Sequence, residues 1–198
     1  MKDKKSHGIW PFKLDDVHSY AYQESLFTPK ECDKVIALGK KQGLETACIK
    51  DQKIDKKIRN NKISWIHPSC KEAHWLFSRI TKCIMDLNKQ FFNFDLFGFT
   101  EGFQFTNYKA PGEYYNLHID RGLNTQVRKL SFSVYLSDPK TFEGGDLFFQ
   151  ESKKKYSISH KKQGTLVAFP SFVLHGVAPI TKGERNSLVG WITGPNFK

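Results

Sequence analysis

The four cysteines, Cys32, Cys48, Cys70 and Cys83, are scattered without a Cys-x-x-Cys pair, which argues against the usual zinc and dithiol frameworks. Reduced thiols of this kind suit an intracellular, cytoplasmic protein. No apolar run approaches the roughly 18 to 20 residues of a membrane span. The start, Met1-Lys2-Asp3-Lys4-Lys5-Ser6-His7, is polar with no apolar stretch behind it, so no signal peptide and no membrane partner are expected. Internal repeats, low-complexity segments and linkers are also missing. One domain over residues 1–198 is the expectation, with a helical support at about 28–92 and a β core at about 97–194. The 17 phenylalanines and 14% aromatic content provide packing material for a sizeable core.

Arginine is scarce, 5 residues against 26 lysines in a chain of net charge +11. The basic run Lys50, Lys53, Lys56, Lys57, Arg59 and Lys62 is set against only Asp51 and Asp55. Two readings stand: a solvated loop kept soluble by charge, or a basic lip that attracts an acidic polypeptide or a nucleic acid. The surrounding segment, Thr46 to Asn61, lacks apolar periodicity. Together with Arg121 to Val127 it is expected to form a rim or lid over a site.

Helix signals lie in the first half. Thr28-Pro29-Lys30-Glu31 is a capping box with proline in the first turn, and Gly43 is a suitable stop. Ser69-Cys70-Lys71-Glu72 reads as a second capping box, before a helix whose stripe is Trp75, Leu76, Ile80, Cys83, Ile84 and Leu87. A strand near residues 1–27 is expected to join the main sheet, and Ile63–Ile66 reads as a short strand. From Phe99 onward strands are expected at about 99–108, 113–120, 128–136, 146–150, 155–159, 164–169, 173–179 and 186–193, punctuated by turn residues such as Gly144-Gly145. A mainly β fold with flanking helices, a double-stranded β-helix or jelly roll, accommodates this order.

Alternation assigns the faces. Gln104, Thr106 and Tyr108 oppose Phe103 and Phe105; Ser131, Ser133 and Tyr135 oppose Leu130, Phe132 and Val134. Ser187 and Trp191 follow the face of Arg185, with Leu188 and Ile192 on the other. Asn116, His118 and Asp120 are expected to share one face, and Leu117 and Ile119 the other. Taken singly, each histidine reads as an ordinary core or surface residue. With His175 downstream, however, His118 and Asp120 supply two imidazoles and one carboxylate, the facial set that suits Fe(II) and leaves positions open. Arg185 follows ten residues after His175, and its planar fork can grip a carboxylate through two parallel bonds.

The run Val127-Arg128-Lys129-Leu130-Ser131-Phe132-Ser133-Val134-Tyr135-Leu136-Ser137-Asp138-Pro139 is followed by Phe142-Glu143-Gly144-Gly145-Asp146-Leu147 and Gly164-Thr165-Leu166-Val167-Ala168-Phe169-Pro170-Ser171. Leu174-His175-Gly176-Val177 and Pro179 to Arg185 complete the set. Over roughly residues 58–194 this resembles the PKHD-type branch of the prolyl 4-hydroxylase-like Fe(II)/2-oxoglutarate oxygenases. The resemblance implies iron at His118, Asp120 and His175, with 2-oxoglutarate and dioxygen as co-substrates and ascorbate as an auxiliary reductant. It further implies that Arg185 holds the far carboxylate of 2-oxoglutarate, with Tyr108 and Tyr135 as hydrogen-bonding partners. Ser187 completes an Arg-x-Ser arrangement found elsewhere in the superfamily, and Trp191 matches an aromatic that walls the pocket.

The implied activity is a procollagen-proline 4-dioxygenase-like hydroxylation of an unactivated C–H in a peptide or protein. Alternatives are a nucleobase or small-molecule 2-oxoglutarate oxygenase, and a non-enzymatic jelly-roll binding module. A demethylase of the AlkB kind would carry a second arginine six residues after the first, where this chain has Trp191. A binding module would have no use for three buried ligands and Arg185.

Overall fold

The computed structural model describes residues 18–48, 55–121 and 127–196. Strand β1 (Ala21–Gln23) comes first, as expected, and pairs into the larger sheet. Helix α1 (Pro29–Lys41) starts on the capping box: the Glu31 N–H donates to the Thr28 hydroxyl, and the Thr28 N–H donates to the Glu31 carboxylate. Its last turn closes at Gln42, after which Gly43 takes φ +86°, a left-handed turn that glycine makes without strain.

Three short strands follow: β2 (Glu45–Thr46) and β3 (Arg59–Asn60), which were not foreseen, and β4 (Lys62–Ile66), which contains the strand expected at Ile63–Ile66. The Thr46–Asn61 segment is therefore anchored at both ends. Tyr114 donates its hydroxyl to the Lys56 and Lys57 carbonyls, and the Asn116 side chain donates to the Lys57 carbonyl. The rest of the expected rim, residues 49–54 and 122–126, lies outside the described residues.

Helix α2 (His74–Leu87) buries Leu76, Ile80, Cys83, Ile84 and Leu87 of the stripe read from the sequence, and leaves its first member, Trp75, partly exposed. The second capping box does not form. A 3-10 turn at Lys71–Ala73 intervenes, its cap Cys70 makes no side-chain bond, and the α-helix begins only at His74.

The later strands are β5 (Phe103–Lys109), β6 (Tyr114–His118), β7 (Arg128–Tyr135), β8 (Phe142–Gly144), β9 (Leu147–Glu151), β10 (Lys154–Ser157), β11 (Leu166–Pro170), β12 (His175–Val177) and β13 (Ile180–Thr193). Eight of these correspond to the sequence expectation. The ninth, β8, was not foreseen; it pairs with the start of β13 and so extends that strand back to Ile180. All pairings are antiparallel, in a large sheet ordered β1-β11-β7-β13-β5-β4-β2, with β8 on β13, and a small sheet ordered β10-β9-β12-β6-β3. This is the two-sheet jelly roll.

Each face has a separate destination. Phe103, Phe105, Leu130, Phe132, Val134, Leu188 and Ile192 leave the large sheet on its outer side and join Val35, Leu76 and Ile80 of the helices in one core. Close approach there depends on Gly39: a Cβ at this position would stand 2.3 Å from the Phe105 ring, and the Gly39 carbonyl accepts from the Ser64 hydroxyl at 2.6 Å. The opposite face carries Gln104, Thr106, Tyr108, Ser133, Arg185, Ser187 and Trp191 into a cavity between the two sheets. Among the described residues no helix is long and apolar enough to cross a membrane.

Candidate active site

The cavity holds about 600 Å³ and is lined from both sheets by the candidate residues other than Tyr135, which packs in a buried cluster with Leu147, Phe149, Val167 and Phe169. His118 and His175 face each other as a cross-strand pair of β6 and β12, their rings 4.2 Å apart between centroids. Asp120 completes the set from just beyond β6, not from within it. Its carboxylate lies 3.6 Å from His118 Nε2 and 3.4 Å from His175 Nε2, and the three ligand atoms fall within 4.8 Å of one another. The backbone N–H of Asp120 donates to the Ser171 carbonyl, which takes the chain out of the β6 ladder.

Strict alternation fails on β6. His118 pairs with His175 and Tyr115 with Val177, so three steps on β6 span two on β12. This bulge re-aims side chains. Tyr115 and His118 both face the cavity, their rings stacked at 3.6 Å. Asn116, expected beside His118, turns outward to Lys57, and Ile119 is half exposed at the mouth.

The surroundings prepare the ligands. His118 Nδ1 lies 2.8 Å from the Asn116 carbonyl and His175 Nδ1 lies 2.9 Å from the Val173 carbonyl. A carbonyl only accepts, so each Nδ1 carries the proton and each Nε2 keeps a lone pair for a metal. Burial lowers the pKa of His175, with Asp120 opposing, and this favours the neutral ring. Burial alone would raise the pKa of Asp120. The neighbouring His175 and His118 and the hydrogen bonds to it oppose that and hold the carboxyl well below its usual range. One of those bonds comes from Ser131, whose hydroxyl donates to Asp120 at 2.7 Å and lies 2.9 Å from that of Ser171.

Arg185 is fully buried. Its Nη1 donates to the Ser187 hydroxyl at 3.1 Å, its Nε has no hydrogen-bond partner, and no carboxylate pairs with it among the described residues. The guanidinium stands 5.2 Å from the Tyr135 ring centre and 5.6 Å from that of Tyr108. Burial raises both phenol pKa values, and the Tyr135 hydroxyl lacks a partner. Gly145, at φ +65°, makes room: a Cβ there would lie 2.9 Å from Arg185 Cδ. A buried cation with an unpartnered N–H on the cavity wall, and an unpartnered phenol beside it, call for an anionic ligand.

These residues fit the groups named by the sequence resemblance. Two imidazole nitrogens and a carboxylate suit Fe(II); the Arg185–Tyr135–Ser187 end suits the remote carboxylate of 2-oxoglutarate. Trp191 also reaches the cavity, its indole N–H unpartnered and its ring under the guanidinium of Arg128 at 3.8 Å.

Sequence reasoning missed two arginines. Arg128 is fixed by Glu101 through Nε at 2.8 Å and Nη2 at 2.5 Å. Arg59, part of the basic run read either as a solvated loop or as a basic lip, is buried against the cavity. It donates to Asn61 at 2.7 Å and to Gln104 at 2.8 Å, and lies 4.4 Å above the Tyr115 ring. The only signal for it was that an arginine stood among lysines.

The class is set by this fold and by a sequence match to the 2OG-Fe(II) oxygenase superfamily over residues 103–193. Within it, a PKHD-type hydroxylase of Prochlorococcus marinus is 32% identical over 160 residues, which cover 71% of this chain and 72% of that protein. The chain belongs to the PKHD-type hydroxylase family. Another PKHD-type hydroxylase, of Idiomarina loihiensis, is 38% identical over 97 residues, 46% of this chain and 44% of that protein. One of Parvibaculum lavamentivorans is 42% identical over 84 residues, 42% of this chain and 38% of that protein. The matches to these last two thus span less than half of each relative.

Among solved structures, a prolyl-4-hydroxylase of Pseudomonas putida superposes with TM-score 0.70 at 24% identity, covering 90% of this chain and 94% of that one. A prolyl hydroxylase of Trichoplax adhaerens, in complex with a hypoxia-inducible factor oxygen degradation domain peptide fragment, gives TM-score 0.74 at 20% identity, covering 89% of this chain and 84% of that one. At these identities the likeness shows the shared fold.

Proposed function

We propose that this protein is an Fe(II)- and 2-oxoglutarate-dependent dioxygenase that hydroxylates an unactivated C–H, with a prolyl residue of a peptide or protein as the favoured substrate. The observation that carries the reading is Arg185, a fully buried cation with no carboxylate partner among the described residues, opening onto the same cavity as His118, Asp120 and His175. A buried charge without a counter-charge is costly, so it points to a ligand that supplies one. When bound, iron and 2-oxoglutarate would let dioxygen act as the oxidant, one oxygen atom going to the substrate C–H and the other to succinate as 2-oxoglutarate loses carbon dioxide.

The protein's own contribution is positioning. His118 and His175 present Nε2 because backbone carbonyls hold their Nδ1 protons. Asp120 is kept ionised and oriented by Ser131. Arg185 and Ser187 hold the far carboxylate of the co-substrate, with Tyr135 and Tyr108 beside it. Trp191, under Arg128, walls the side on which a substrate chain would lie. The apolar walls supplied by Leu147, Phe169 and Val177 limit water near the reacting centre. The prolyl preference is supported by family membership and by the peptide bound to the Trichoplax adhaerens protein.

The test is substrate-dependent succinate release in the presence of Fe(II) and 2-oxoglutarate, with and without ascorbate, against panels of peptides, nucleosides and amino acids. A mass gain of one oxygen on a proline supports the full proposal. Succinate release driven only by nucleosides or free amino acids would keep the chemistry and remove the peptide substrate.

A further inference from the structure

We infer that the substrate carries a carboxylate beside the atom that is hydroxylated, and that Arg59 reads it. This rests on the proposed function and adds to it an acidic residue flanking the target in a peptide.

The cavity is lined by Arg59, Arg121, Arg128 and Arg185. Arg185 answers to the far carboxylate of the co-substrate, and Arg128 is already paired with Glu101. Arg59 makes no ion pair among the described residues. Its hydrogen-bond acceptors are two neutral amides, Asn61 Oδ1 and Gln104 Oε1, and its other close neighbours, also neutral, are the Tyr115 ring and the Tyr108 hydroxyl. Neutral acceptors orient a guanidinium without cancelling its charge, and an arginine buried to 6% exposure is costly to leave uncompensated.

The orientation is also rigid. Nε is tied to Asn61, which is 2% exposed, Nη2 is tied to a buried glutamine on β5, and the plane lies over Tyr115. Tyr115 in turn stacks on His118 with ring planes 16° apart, so Arg59 sits one aromatic ring away from a candidate metal ligand. Tyr108 stands within reach of both Arg59 and Arg185, so a group bound at Arg59 is isolated only when the Arg185 end is filled. The exposed lysines Lys56, Lys57 and Lys62 give the same stretch a positive surface that favours an acidic chain.

The experiment uses the full chain loaded with Mn(II) and N-oxalylglycine, an inert isostere of 2-oxoglutarate, so that the Arg185 end is filled. Two synthetic peptide libraries, one with a central proline and one with a central alanine, carry randomised flanking positions. Retained peptides are identified by mass spectrometry. The parent should enrich Asp or Glu over Asn or Gln at one fixed position by about tenfold, the ratio expected for one charge-assisted hydrogen bond. Arg59→Met should lose that enrichment. So should Asn61→Asp, which hands Arg59 an internal carboxylate through the exchange of one side-chain group and keeps the test open if Arg59→Met fails to fold.

Equal recovery of acids and amides by the parent, or enrichment that survives both substitutions, overturns the inference. So does Arg59-dependent capture of a single-stranded oligonucleotide without acidic enrichment. Arg59-dependent binding of N-acetylglutamate amide as tight as that of the peptides would keep the carboxylate and make its source a small acid. Acid enrichment in both libraries, with no oxygen gained on proline under turnover, would leave Arg59 in its role and remove the prolyl reading alone.

Discussion

Ser131 donates its hydroxyl to the Asp120 carboxylate at 2.7 Å, a bond from the interior strand β7 of the large sheet to a residue just past the end of β6 in the small one. The two sheets are thereby coupled at the candidate metal position. Ser171, whose hydroxyl lies 2.9 Å from that of Ser131, also accepts the Asp120 backbone N–H through its carbonyl. Asp120 is held from two directions although it lies in no strand. Removing the bond should leave the fold intact and loosen the carboxylate. Ser131→Ala is expected to weaken Fe(II) or Mn(II) binding by roughly 10-fold, the low end for lost outer partners of metal ligands. Metal titration followed by circular dichroism checks both parts; unchanged affinity would show that Asp120 needs no support from Ser131.

His118→Ala, Asp120→Ala and His175→Ala should each abolish turnover and metal retention, since each removes one of three protein ligands. Chelation of the parent should do the same, and added Fe(II) should restore it. Any one variant with full substrate-dependent succinate release would remove that residue from the ligand set.

Much of this site was legible because alternation survives in β5, β7 and β13. Phe105 against Thr106, Val134 against Ser133, and Leu188 against Ser187 sort into core and cavity as period-two strands dictate. Legibility ended where tertiary contacts overrule period. The β6 bulge brings Tyr115 to the cavity and sends Asn116 out, and it depends on the partner strand β12, some 60 residues away. Arg59 is held by Gln104, 45 residues on, and nothing local distinguishes it from its lysine neighbours. Ser69-x-x-Glu72 has the letters of a capping box, but the chain makes a 3-10 turn there and the motif is not used. The match between Thr28-x-x-Glu31 and its structure succeeds because Pro29 fixes the first turn.

That first cap gives stability a pH dependence. The pKa of Glu31 is lowered, first by the Thr28 backbone bond and then by Arg79, whose Nη1 lies 2.7 Å from its carboxylate. A carboxyl depressed in the folded state stabilises above its unfolded pKa and loses that contribution as pH falls through the folded value. Glu31→Gln should therefore cost about 0.5–1 kcal/mol near neutrality, in line with capping and partly exposed ion pairs. The difference from the parent should shrink below about pH 4, where the carboxyl protonates. Urea melts at both pH values measure it; a gap that persists in acid would assign the effect to packing instead.

Core packing predicts a larger loss at Gly39. A methyl group there would meet Phe105 at 2.3 Å, and α1 would have to lift from the sheet. Helix propensity alone would make alanine favourable by up to about 1 kcal/mol. Overpacking of a filled core costs about 1–3 kcal/mol or more and should win. Gly39→Ala is expected to lower the melting temperature, whereas Gly43→Ala, with open space but φ +86°, should cost less, about 1 kcal/mol of backbone strain. A stabilised Gly39→Ala would mean that the helix shifts freely.

Arg185 separates binding of the co-substrate from binding of the metal. Its charge is buried, its Nε is unpartnered, and its Nη1 donates to the Ser187 hydroxyl, so a carboxylate entering the cavity would meet an oriented, unneutralised fork. Truncating one side of such a desolvated pair costs about 2–5 kcal/mol, which is roughly 30- to several-thousand-fold in affinity. Arg185→Ala should raise the 2-oxoglutarate requirement by that range while leaving metal binding within about 2-fold, because no ligand atom touches the guanidinium. Arg185→Lys should recover only part of the loss, since an ammonium offers no planar pair of donors. Ser187→Ala should act more mildly, through the orientation of Nη1. Titrating 2-oxoglutarate into the metal-loaded variants, with metal affinity measured separately, distinguishes these effects. If Arg185→Ala bound 2-oxoglutarate as tightly as the parent, the anchor would have to be elsewhere, and Arg59 would be the next residue to examine.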